Sequence, residues 1–247
     1  MAKVRLDQLV ADRGLAESRT RAQALILAGN VYVAGTRIDK AGTLVPADAA
    51  LEVRGEAHGY VSRGGVKLAG ALDGFAIDPA GLSCVDLGAS TGGFTDCLLQ
   101  RGATRVVAVD VGYGQLAHKL RVDPRVVVME RTNAKTLEPE HVGGPVDLVV
   151  VDASFIGLGK LLPACARVLR DEGQLLALVK PQFEAGREEV SRGRGVIRDP
   201  EVRARAIEGV VVELGDAGFE LLGQRDSTLP GPKGNLEAFV HARKRAR

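Results

Sequence analysis

The apolar positions of residues 1–56 predict two helices followed by three short strands. Residues 5–11 repeat apolar side chains at helical spacing, and Gly14 ends this helix. A second helix is predicted from Ser18 through the run SRTRAQALILAGN. The runs VYVAG, TRID and ALEVRG then have the composition of short strands separated by turns. This pattern predicts a small α+β domain, with residues 57–61 as a linker to the remainder of the chain.

From residue 62 onwards, apolar runs alternate with amphipathic segments. A helix is predicted at SRGGVKLAGALDGF, where Leu68, Leu72 and Phe75 share one face. Strands are predicted at SCVDLGA, RVVAVDV, VVVMERT, VDLVVVDAS and GQLLALVKP, helices at TDCLLQRG, GQLAHKLRVD, LGKLLPACARVLRDEG and RARAIEGVVVELGDAGF, and closing strands at ELLGQRDSTL and LEAFVHARK. Apolar strands separated by helices predict a parallel sheet covered on both faces. Residues 62–247 therefore predict an α/β domain, in which the Gly- and Arg-rich residues 184–200 form a mobile loop.

The run VDLGASTGGFTD, residues 85–96, is the most informative motif for a ligand. It follows a predicted strand, and Gly88, Gly92 and Gly93 allow the backbone to turn tightly close to a bound molecule. The run is neither a GxGxxG motif nor a P-loop. The next predicted strand ends at Asp110, and an acidic residue at this position can accept hydrogen bonds from ribose hydroxyls.

A glycine-rich turn with an acid on the next strand suits a nucleoside ligand without a pyrophosphate, and S-adenosylmethionine is the obvious candidate. The tripeptide RTN after the third strand would line the adenine side. The alternative is an ordinary turn between a strand and a helix, without a ligand. The residues expected to bind the cofactor are Asp86, Gly88, Ala89, Ser90, Thr91, Gly92, Gly93, Phe94, Asp110, Thr132, Asn133 and Asp152.

Four ionisable residues at the ends of apolar elements are the predicted catalytic groups: Lys67, Asp152, Lys180 and Glu237. A charge at the end of a buried strand is costly unless it is paired, which favours their convergence on one pocket. The alternative is that the lysines are simply surface residues. Partial burial beside Lys67 would favour the neutral amine of Lys180, which could then act as a general base for a ribose hydroxyl. Asp152 and Glu237 would orient the two lysines.

The composition excludes only a few classes of function. The net charge of +2, from 33 basic and 31 acidic residues, does not by itself indicate a nucleic-acid partner. Locally, however, Arg13, Arg19 and Arg21 cluster around the start of the second helix, where they would meet phosphates or form a solvated face. Three separated cysteines without a CxxC motif predict neither a zinc site nor a disulfide framework, and they favour a reducing cytoplasm. The sequence shows no signal-peptide pattern, and no apolar run approaches the ~20 residues that span a bilayer.

In their order along nearly the whole chain, these motifs resemble the TlyA family, bacterial ribosomal RNA 2′-O-methyltransferases that are also called hemolysins. The segment RLDQLVADRGLAESRTRAQALILAGNVYVAG resembles an S4-type RNA-binding module. The runs SRGGVKL, LGASTGGFTD, VDVGYGQL, ERTNA, VDASFI, LVKPQFE and LPGPKGNLEAF resemble family signatures. The resemblance implies a Rossmann-like class I methyltransferase sheet that uses S-adenosylmethionine, preceded by a small S4-like domain. FtsJ/RrmJ-type enzymes use a Lys–Asp–Lys–Glu tetrad, which maps onto Lys67, Asp152, Lys180 and Glu237.

The resemblance also implies a substrate, the 2′-hydroxyl of a cytidine in ribosomal RNA, whose nucleotide would flip out of its helix. The chain ends at RKRAR soon after its last predicted strand, which favours the group that modifies the large subunit alone. The expected partner is thus ribosomal RNA or a ribosomal subunit, in the cytoplasm and without stable membrane association. Phosphate contacts are expected from Arg5, Arg13, Arg19, Arg21, Arg192 and Arg194.

Three other functions would leave different sequence features. A membrane-active hemolysin would carry a long apolar or amphipathic cationic segment, and none is visible. A non-catalytic RNA-binding or ribosome-assembly factor would be expected to lose the glycine-rich turn or the four ionisable residues. A base methylase often carries an Asn-Pro-Pro-type motif where this chain has Asp-Ala-Ser-Phe.

Overall fold

A computed structural model describes residues 3–16, 18–27, 29–53 and 59–246, and it divides the chain into two compact units. The first unit is Met1–Gly59 and the second is Tyr60–Arg247. The predicted linker at residues 57–61 falls partly on residues 54–58, which lie outside the described residues. Each unit has its own hydrophobic core.

The first unit consists of two helices and two small antiparallel sheets. Its elements are β1 (Lys3–Arg5), α1 (Leu6–Asp12), α2 (Arg19–Leu27), β2 (Val31–Val33), β3 (Thr36–Arg37), β4 (Leu44–Pro46) and β5 (Leu51–Val53). β2 pairs with β3 and β5, and β1 pairs with β4. Leu6, Val10 and Ile26 from the helices are fully buried together with Val31. The sequence pattern did not predict β1 or β4.

The second unit is built on one large sheet. Its elements are α3 (Arg63–Phe75), β6 (Ser83–Leu87), α4 (Gly93–Gln100), β7 (Arg105–Val109), α5 (His118–Arg121), β8 (Val126–Met129), β9 (Val146–Val151), α6 (Leu162–Val168), β10 (Leu169–Val179), α7 (Pro181–Glu184), α8 (Arg187–Arg192), α9 (Pro200–Asp216), β11 (Phe219–Asp226) and β12 (Ala238–Lys244). Within the described residues the sheet has seven strands in the order β11-β12-β10-β9-β6-β7-β8. β12 runs antiparallel to β10 and β11, and the other pairs are parallel.

Both faces of the large sheet are covered, as the apolar strands predicted. α3 and α4 contribute Leu68 and Leu98 to the core on one face. α6 and α9 contribute Leu162 and Ile207 to the core on the other face. This arrangement confirms the predicted doubly covered α/β architecture.

Two predicted boundaries in the second unit are wrong. The helix predicted at LGKLLPACARVLRDEG ends at Val168, and β10 begins at the next residue because Leu169 already pairs with Val146 of β9. The helix predicted at GQLAHKLRVD contracts to α5, since Gly114 adopts a positive φ of 69° and Pro124 follows closely.

The loop predicted over residues 184–200 is interrupted by a short helix. α8 occupies the centre of this segment, and Asp199 caps the first turn of α9 by accepting a hydrogen bond from the backbone N–H of Glu201. The helical run is only six residues long, so flanking glycines hid it in the sequence pattern.

No helix among the described residues is both long enough and apolar enough to cross a membrane.

Candidate active site

Four neighbouring strands bring polar residues to one edge of the large sheet. β10, β9, β6 and β7 lie side by side and run parallel. The residues just beyond their carboxyl ends include Lys180, Asp152, Gly88 and Asp110, respectively. Ligands bind at this edge in open α/β sheets.

The turn after β6 requires glycine at two positions. Gly88 and Gly92 have φ values of 84° and 94°, which other residues rarely adopt. A Cβ atom on Gly88 would lie 2.9 Å from the backbone oxygen of Asp152, so the turn packs directly against the residue that follows β9. The N–H groups of Gly88 and Ala89 both donate to the carbonyl of Val109, at 2.9 and 3.1 Å. The turn is therefore fixed to the ends of both neighbouring strands.

The other side chains of this turn have different surroundings. Ser90 is exposed, and its hydroxyl donates to the side-chain oxygen of Gln115 at 3.2 Å. The carbonyl of Thr91 accepts a hydrogen bond from the N–H of Ala117. Phe94 is only 2% exposed and stacks on Phe239, with ring centroids 6.0 Å apart. Phe94 thus stabilises the turn through the core, whereas Ser90 lies where a ligand can reach it.

Asp86 is a fully buried carboxyl group on β6, next to the turn. Its Oδ2 accepts hydrogen bonds from the N–H and the hydroxyl of Thr95, at 2.9 and 2.7 Å. Its Oδ1 has no hydrogen-bond partner among the described residues. Burial raises the pKa of Asp86 to about 7, since the charged form loses its hydration, and the carboxylates of Asp152 and Asp110 add to the effect. Asp86 therefore holds a proton over much of the mildly acidic range.

We expect Asp86→Asn to weaken the pH dependence of stability between about pH 5 and about pH 7.5. The folded chain keeps the Asp86 proton up to about pH 7, whereas the unfolded chain releases it near the ordinary pKa of 3.8. The proton that the folded chain retains on Asp86 therefore contributes stability. This contribution is fully present below pH 3.8, declines as the pH rises and is lost above pH 7. The total is on the order of 4 kcal/mol. Asparagine does not ionise, so the free energy of unfolding of the variant should decrease less over this interval.

Urea unfolding followed by circular dichroism at the two pH values measures this difference. Asp123→Asn is the control, because Arg125 lowers the pKa of Asp123 and its carboxylate is ionised at both pH values. An Asp86→Asn variant with the same pH dependence as the parent protein would contradict the raised pKa.

Asp110 connects the glycine-rich turn with the loop after β7. Its two carboxylate oxygens accept hydrogen bonds from the N–H groups of Ser90, at 2.8 Å, and Gly112, at 2.7 Å. The N–H of Thr132 donates to the backbone oxygen of Asp110 at 2.9 Å. Thr132 therefore lies beside Asp110, whereas Asn133 uses its side-chain oxygen to cap a short 3₁₀ turn.

Lys67 and Glu237 form a buried ion pair at the same edge. Lys67 lies on α3 and Glu237 immediately precedes β12, and the distance from Nζ to Oε2 is 2.5 Å. Their side chains are only 8% and 1% exposed. A pair so well shielded from water must be kept intact, because either charge alone would be costly to bury.

Lys180 contacts three oxygen atoms. Its Nζ lies 2.6 Å from Oδ1 of Asp152, 2.9 Å from the hydroxyl oxygen of Ser154 and 3.3 Å from the backbone oxygen of Asp152. The two ion pairs are neighbours, because Val179 pairs with Ala238 across β10 and β12. Each lysine is therefore held by its own carboxylate, rather than by the other lysine.

The arginines predicted to contact RNA in the first unit are partly engaged within that unit. Asp7 is fully buried, and its carboxylate accepts hydrogen bonds from Arg5, Arg19 and Gln23 at 2.7–3.1 Å. The Arg5 guanidinium beside Asp7 holds the pKa of this carboxyl group well below its usual range. Arg5 and Arg19 thus organise α1 and α2, while about half of each side chain remains exposed.

Arg13 and Arg21 differ from this pair. Arg13 donates to the backbone oxygens of Ala47 and Ala49, both at 2.6 Å, and so fixes the segment between β4 and β5. Arg21 is partly exposed near the start of α2, where its backbone N–H is capped by the hydroxyl of Ser18. Arg21 remains a predicted phosphate contact.

Arg192 ends α8 and Arg194 follows it, and both are exposed, in a segment that is held to the loop before β12. Asn235, which is 2% exposed, holds this segment through two hydrogen bonds. Its side-chain oxygen accepts from the N–H of Ile197 at 2.9 Å, and its amide donates to the carbonyl of Gly195 at 3.0 Å. Asn235 lies in the run LPGPKGNLEAF, but no local pattern predicts that its buried amide would hold Gly195 and Ile197.

The loop after β9 contains two further residues that sequence analysis missed. Ser154 contacts Lys180, and the ring of Phe155 beside it is 91% exposed. Phe155 also has a positive φ of 65°, which is unusual for an aromatic residue. The exposed run Ser154-Phe155 is a polar–aromatic break after an apolar strand, but no local pattern predicts its contact with Lys180.

Comparisons with known proteins match both units of the chain. A family model described as FtsJ-like methyltransferase matches residues 60–244, and a model of the S4 domain matches residues 4–51. The 16S/23S rRNA (cytidine-2′-O)-methyltransferase TlyA of Mycobacterium tuberculosis is 50% identical over 98% of this chain and 90% of its own length. The 23S rRNA (cytidine-2′-O)-methyltransferase TlyA of Campylobacter jejuni is 32% identical over 74% of this chain and 70% of its own length. A solved structure from Streptococcus thermophilus, which bears the name hemolysin, is 43% identical with a TM-score of 0.78 and covers 99% of this chain and 90% of its own.

Proposed function

Since the chain belongs to the TlyA family of FtsJ-like methyltransferases and carries an S4 domain, we propose that it methylates the ribose 2′-hydroxyl of a cytidine in ribosomal RNA. The observation that carries the proposal is the pair of lysine–carboxylate contacts beside the glycine-rich turn. Paired lysines at this edge suit the removal of a proton from a hydroxyl group. A purely RNA-binding protein would have no need to bury Lys67 with Glu237 there.

The residues around the turn fit S-adenosylmethionine as the methyl donor. Oδ1 of Asp86 is a buried acceptor that lacks a partner among the described residues, which suits a ligand bearing an N–H donor. Asp110 lies just beyond the carboxyl end of β7, where an acid can accept hydrogen bonds from ribose hydroxyls. The bound cofactor would supply a methyl group on a positively charged sulfur. Asp86 and Asp110 would hold its polar ends, with the backbone of residues 88–93 between them.

We expect Asp110→Ala to weaken binding of S-adenosylmethionine by about 10–100-fold, the range that corresponds to a lost hydrogen bond to a charged group. The carboxylate both holds the turn through Ser90 and faces the proposed ribose position. Isothermal titration with the purified protein measures the change. Asp147→Ala is the matched control, because Asp147 also accepts a backbone N–H, that of Ser83, but at the opposite edge of the sheet. Equal affinities of Asp110→Ala and the parent protein would remove Asp110 from the proposed site.

Lys180 is the group proposed to take the proton of the ribose hydroxyl. A charged ammonium cannot accept a proton, so Lys180 must be neutral when the hydroxyl arrives. Asp152 keeps the amine oriented through its 2.6 Å contact. Lys67, which is paired with Glu237, would stabilise the negative charge that develops on the hydroxyl oxygen.

The RNA partner is supported by surface chemistry in each unit. Arginines of the S4 unit and the exposed Arg192 and Arg194 of the methyltransferase unit suit phosphate contacts, which fix orientation without reading sequence. Next to Ser154, the ring of Phe155 presents a face on which an unstacked base can lie. A ribosomal substrate would place this activity in the cytoplasm.

We propose the large ribosomal subunit as the substrate, since 23S rRNA is common to the names of the Mycobacterium and Campylobacter relatives. The test offers purified large and small subunits that lack the modification, together with labelled S-adenosylmethionine. Label in a 2′-O-methylated cytidine of the large subunit is the expected result. Label in the small subunit as well would extend the substrate to both. Absence of label from both, despite measurable cofactor binding, would refute the assignment and favour a non-catalytic assembly factor.

A further inference from the structure

We propose that Ser154 is the proton outlet of the active site: its hydroxyl receives the proton that Lys180 removes from the ribose hydroxyl and passes a proton to solvent. The inference rests on the proposed function, because it concerns the proton released by methylation of a hydroxyl. Ser154 would act through Lys180 and is therefore a positioning and relay residue rather than a catalytic one.

The contacts of Lys180 create the need for such an outlet. A lysine ammonium has three N–H donors and no acceptor. Its Nζ has three oxygens nearby: Oδ1 and the backbone oxygen of Asp152, and the hydroxyl of Ser154. Lys180 is itself only 9% exposed. After it takes a proton, this amine is enclosed by acceptors and must release the proton before the next turnover.

Ser154 differs chemically from the other two acceptors. A hydroxyl both accepts and donates hydrogen bonds, whereas a carbonyl oxygen and an ionised carboxylate only accept. Ser154 is also exposed, so its hydroxyl connects the buried amine with water. Of the three contacts, Ser154 is thus the one that can accept a hydrogen bond from Lys180 and donate one to water at the same time, as a proton relay requires.

The surrounding loop holds Ser154 in place. Next to it, Phe155 adopts its positive φ, and its ring contacts that of Phe183 on α7, with centroids 5.3 Å apart. The N–H of Leu158 donates to Oε1 of Glu184, the last residue of α7, at 2.9 Å. The loop after β9 therefore contacts the short helix that follows Lys180 at two points. These contacts restrain the loop and so help to hold the hydroxyl of Ser154 at 2.9 Å from Nζ of Lys180.

The proton balance closes without a further reactant. As the methyl group is transferred, the O–H bond of the ribose hydroxyl breaks and an N–H bond forms at neutral Lys180. An N–H bond of the resulting ammonium then breaks as an O–H bond forms at Ser154, whose own proton passes to a water molecule. Lys180 returns to the neutral form, and Ser154 is again a hydroxyl.

Other ionisable groups lie on the elements that neighbour Lys180. They are Asp152 after β9, Glu237 before β12, Lys67 on α3, Glu184 on α7 and Asp86 on β6. Each variant of Ser154 leaves all of them in place. The diagnostic quantity is therefore the difference in pH profile between the variant and the parent protein, rather than the position of the optimum.

The test compares Ser154→Ala and Ser154→Thr in single-turnover methyl transfer to the large subunit, from about pH 6 to about pH 9.5 and in H₂O and D₂O. We expect Ser154→Ala to be about 10–100-fold slower near neutral pH, within the usual contribution of a positioned proton-transfer group. The deficit should shrink as pH rises or when imidazole is added as a small proton acceptor. Threonine retains the hydroxyl and should preserve most of the rate. Ser83→Ala is the matched control, since Ser83 lies at the amino end of β6, at the opposite edge of the sheet.

Two results would overturn the relay. One is an Ser154→Ala variant as fast as the parent at every pH. The other is a variant slowed equally at every pH, with an unchanged solvent isotope effect and no response to imidazole, which would indicate a structural role alone. Failure of the parent protein itself to methylate the RNA would instead refute the proposed function on which the relay depends.

Discussion

Lys180→Ala should lower the rate of methyl transfer to ribosomal RNA by about 10²–10⁴-fold, the usual cost of removing a general base. Nζ of Lys180 is the amine at the carboxyl edge that contacts both Asp152 and Ser154. Alanine leaves no group there to take the proton of the ribose hydroxyl. Single-turnover transfer of a labelled methyl group measures the rate, and calorimetry should show cofactor binding nearly unchanged.

Lys180→Arg separates loss of the base from loss of the charge. Arginine keeps a cation beside Asp152 but does not become neutral in proteins, so this variant should fold and remain inactive. Lys160→Ala, a change at an exposed lysine of the same unit, is the control for handling and expression. Substantial activity of Lys180→Arg would contradict a base at this position and favour a purely electrostatic role.

Glu237→Gln should destabilise the methyltransferase unit by roughly 3–5 kcal/mol, because it leaves the ammonium of Lys67 buried without its counter-charge. For a unit of this size, such a loss lowers the melting temperature by about 10 °C. The variant should also lose methyl transfer. Thermal unfolding followed by circular dichroism, beside the transfer assay, gives both quantities.

The double variant Lys67→Met/Glu237→Gln distinguishes stability from catalysis. Methionine has a shape close to that of lysine and carries no charge, so the buried cation disappears and much of the stability should return. Activity should not return, since both proposed catalytic groups are altered. If the double variant is no more stable than Glu237→Gln, the ion pair is not the source of the loss.

The sequence predicted the position of residues at the carboxyl edge of the sheet where a general rule of folding applies. Asp152 and Lys180 each follow an uninterrupted apolar run, and such runs form buried parallel strands whose carboxyl ends meet at one edge. Similarly, Gly88 and Gly92 occupy backbone conformations that only glycine adopts readily. For these residues, the residue type and its position relative to a strand are sufficient to predict where the residue lies in the fold.

The pairing of the polar side chains depends on contacts between segments that are distant in the sequence, and no local pattern encodes these contacts. The sequence predicted that Asp152 and Glu237 orient the two lysines, but only tertiary packing shows that Glu237 contacts Lys67 and Asp152 contacts Lys180. The arginine-rich start of α2 was interpreted as a phosphate surface, yet part of it neutralises Asp7 within the unit. Asn235 is another example, since a buried amide acquires its importance only from the backbone groups that surround it.

The placement of β12 has a consequence for how the enzyme is synthesised. This strand comes last along the described chain but lies between β10 and β11, and Glu237 just before it is 170 positions from Lys67. Until β12 leaves the ribosomal exit tunnel, β10 exposes an unpaired edge and Lys67 lacks its counter-charge. Contacts of such long range slow folding, and an open strand edge invites association with other chains. A chain that stalls before β12 would therefore expose the edge of β10 and the ammonium of Lys67, and we expect it to associate with other chains.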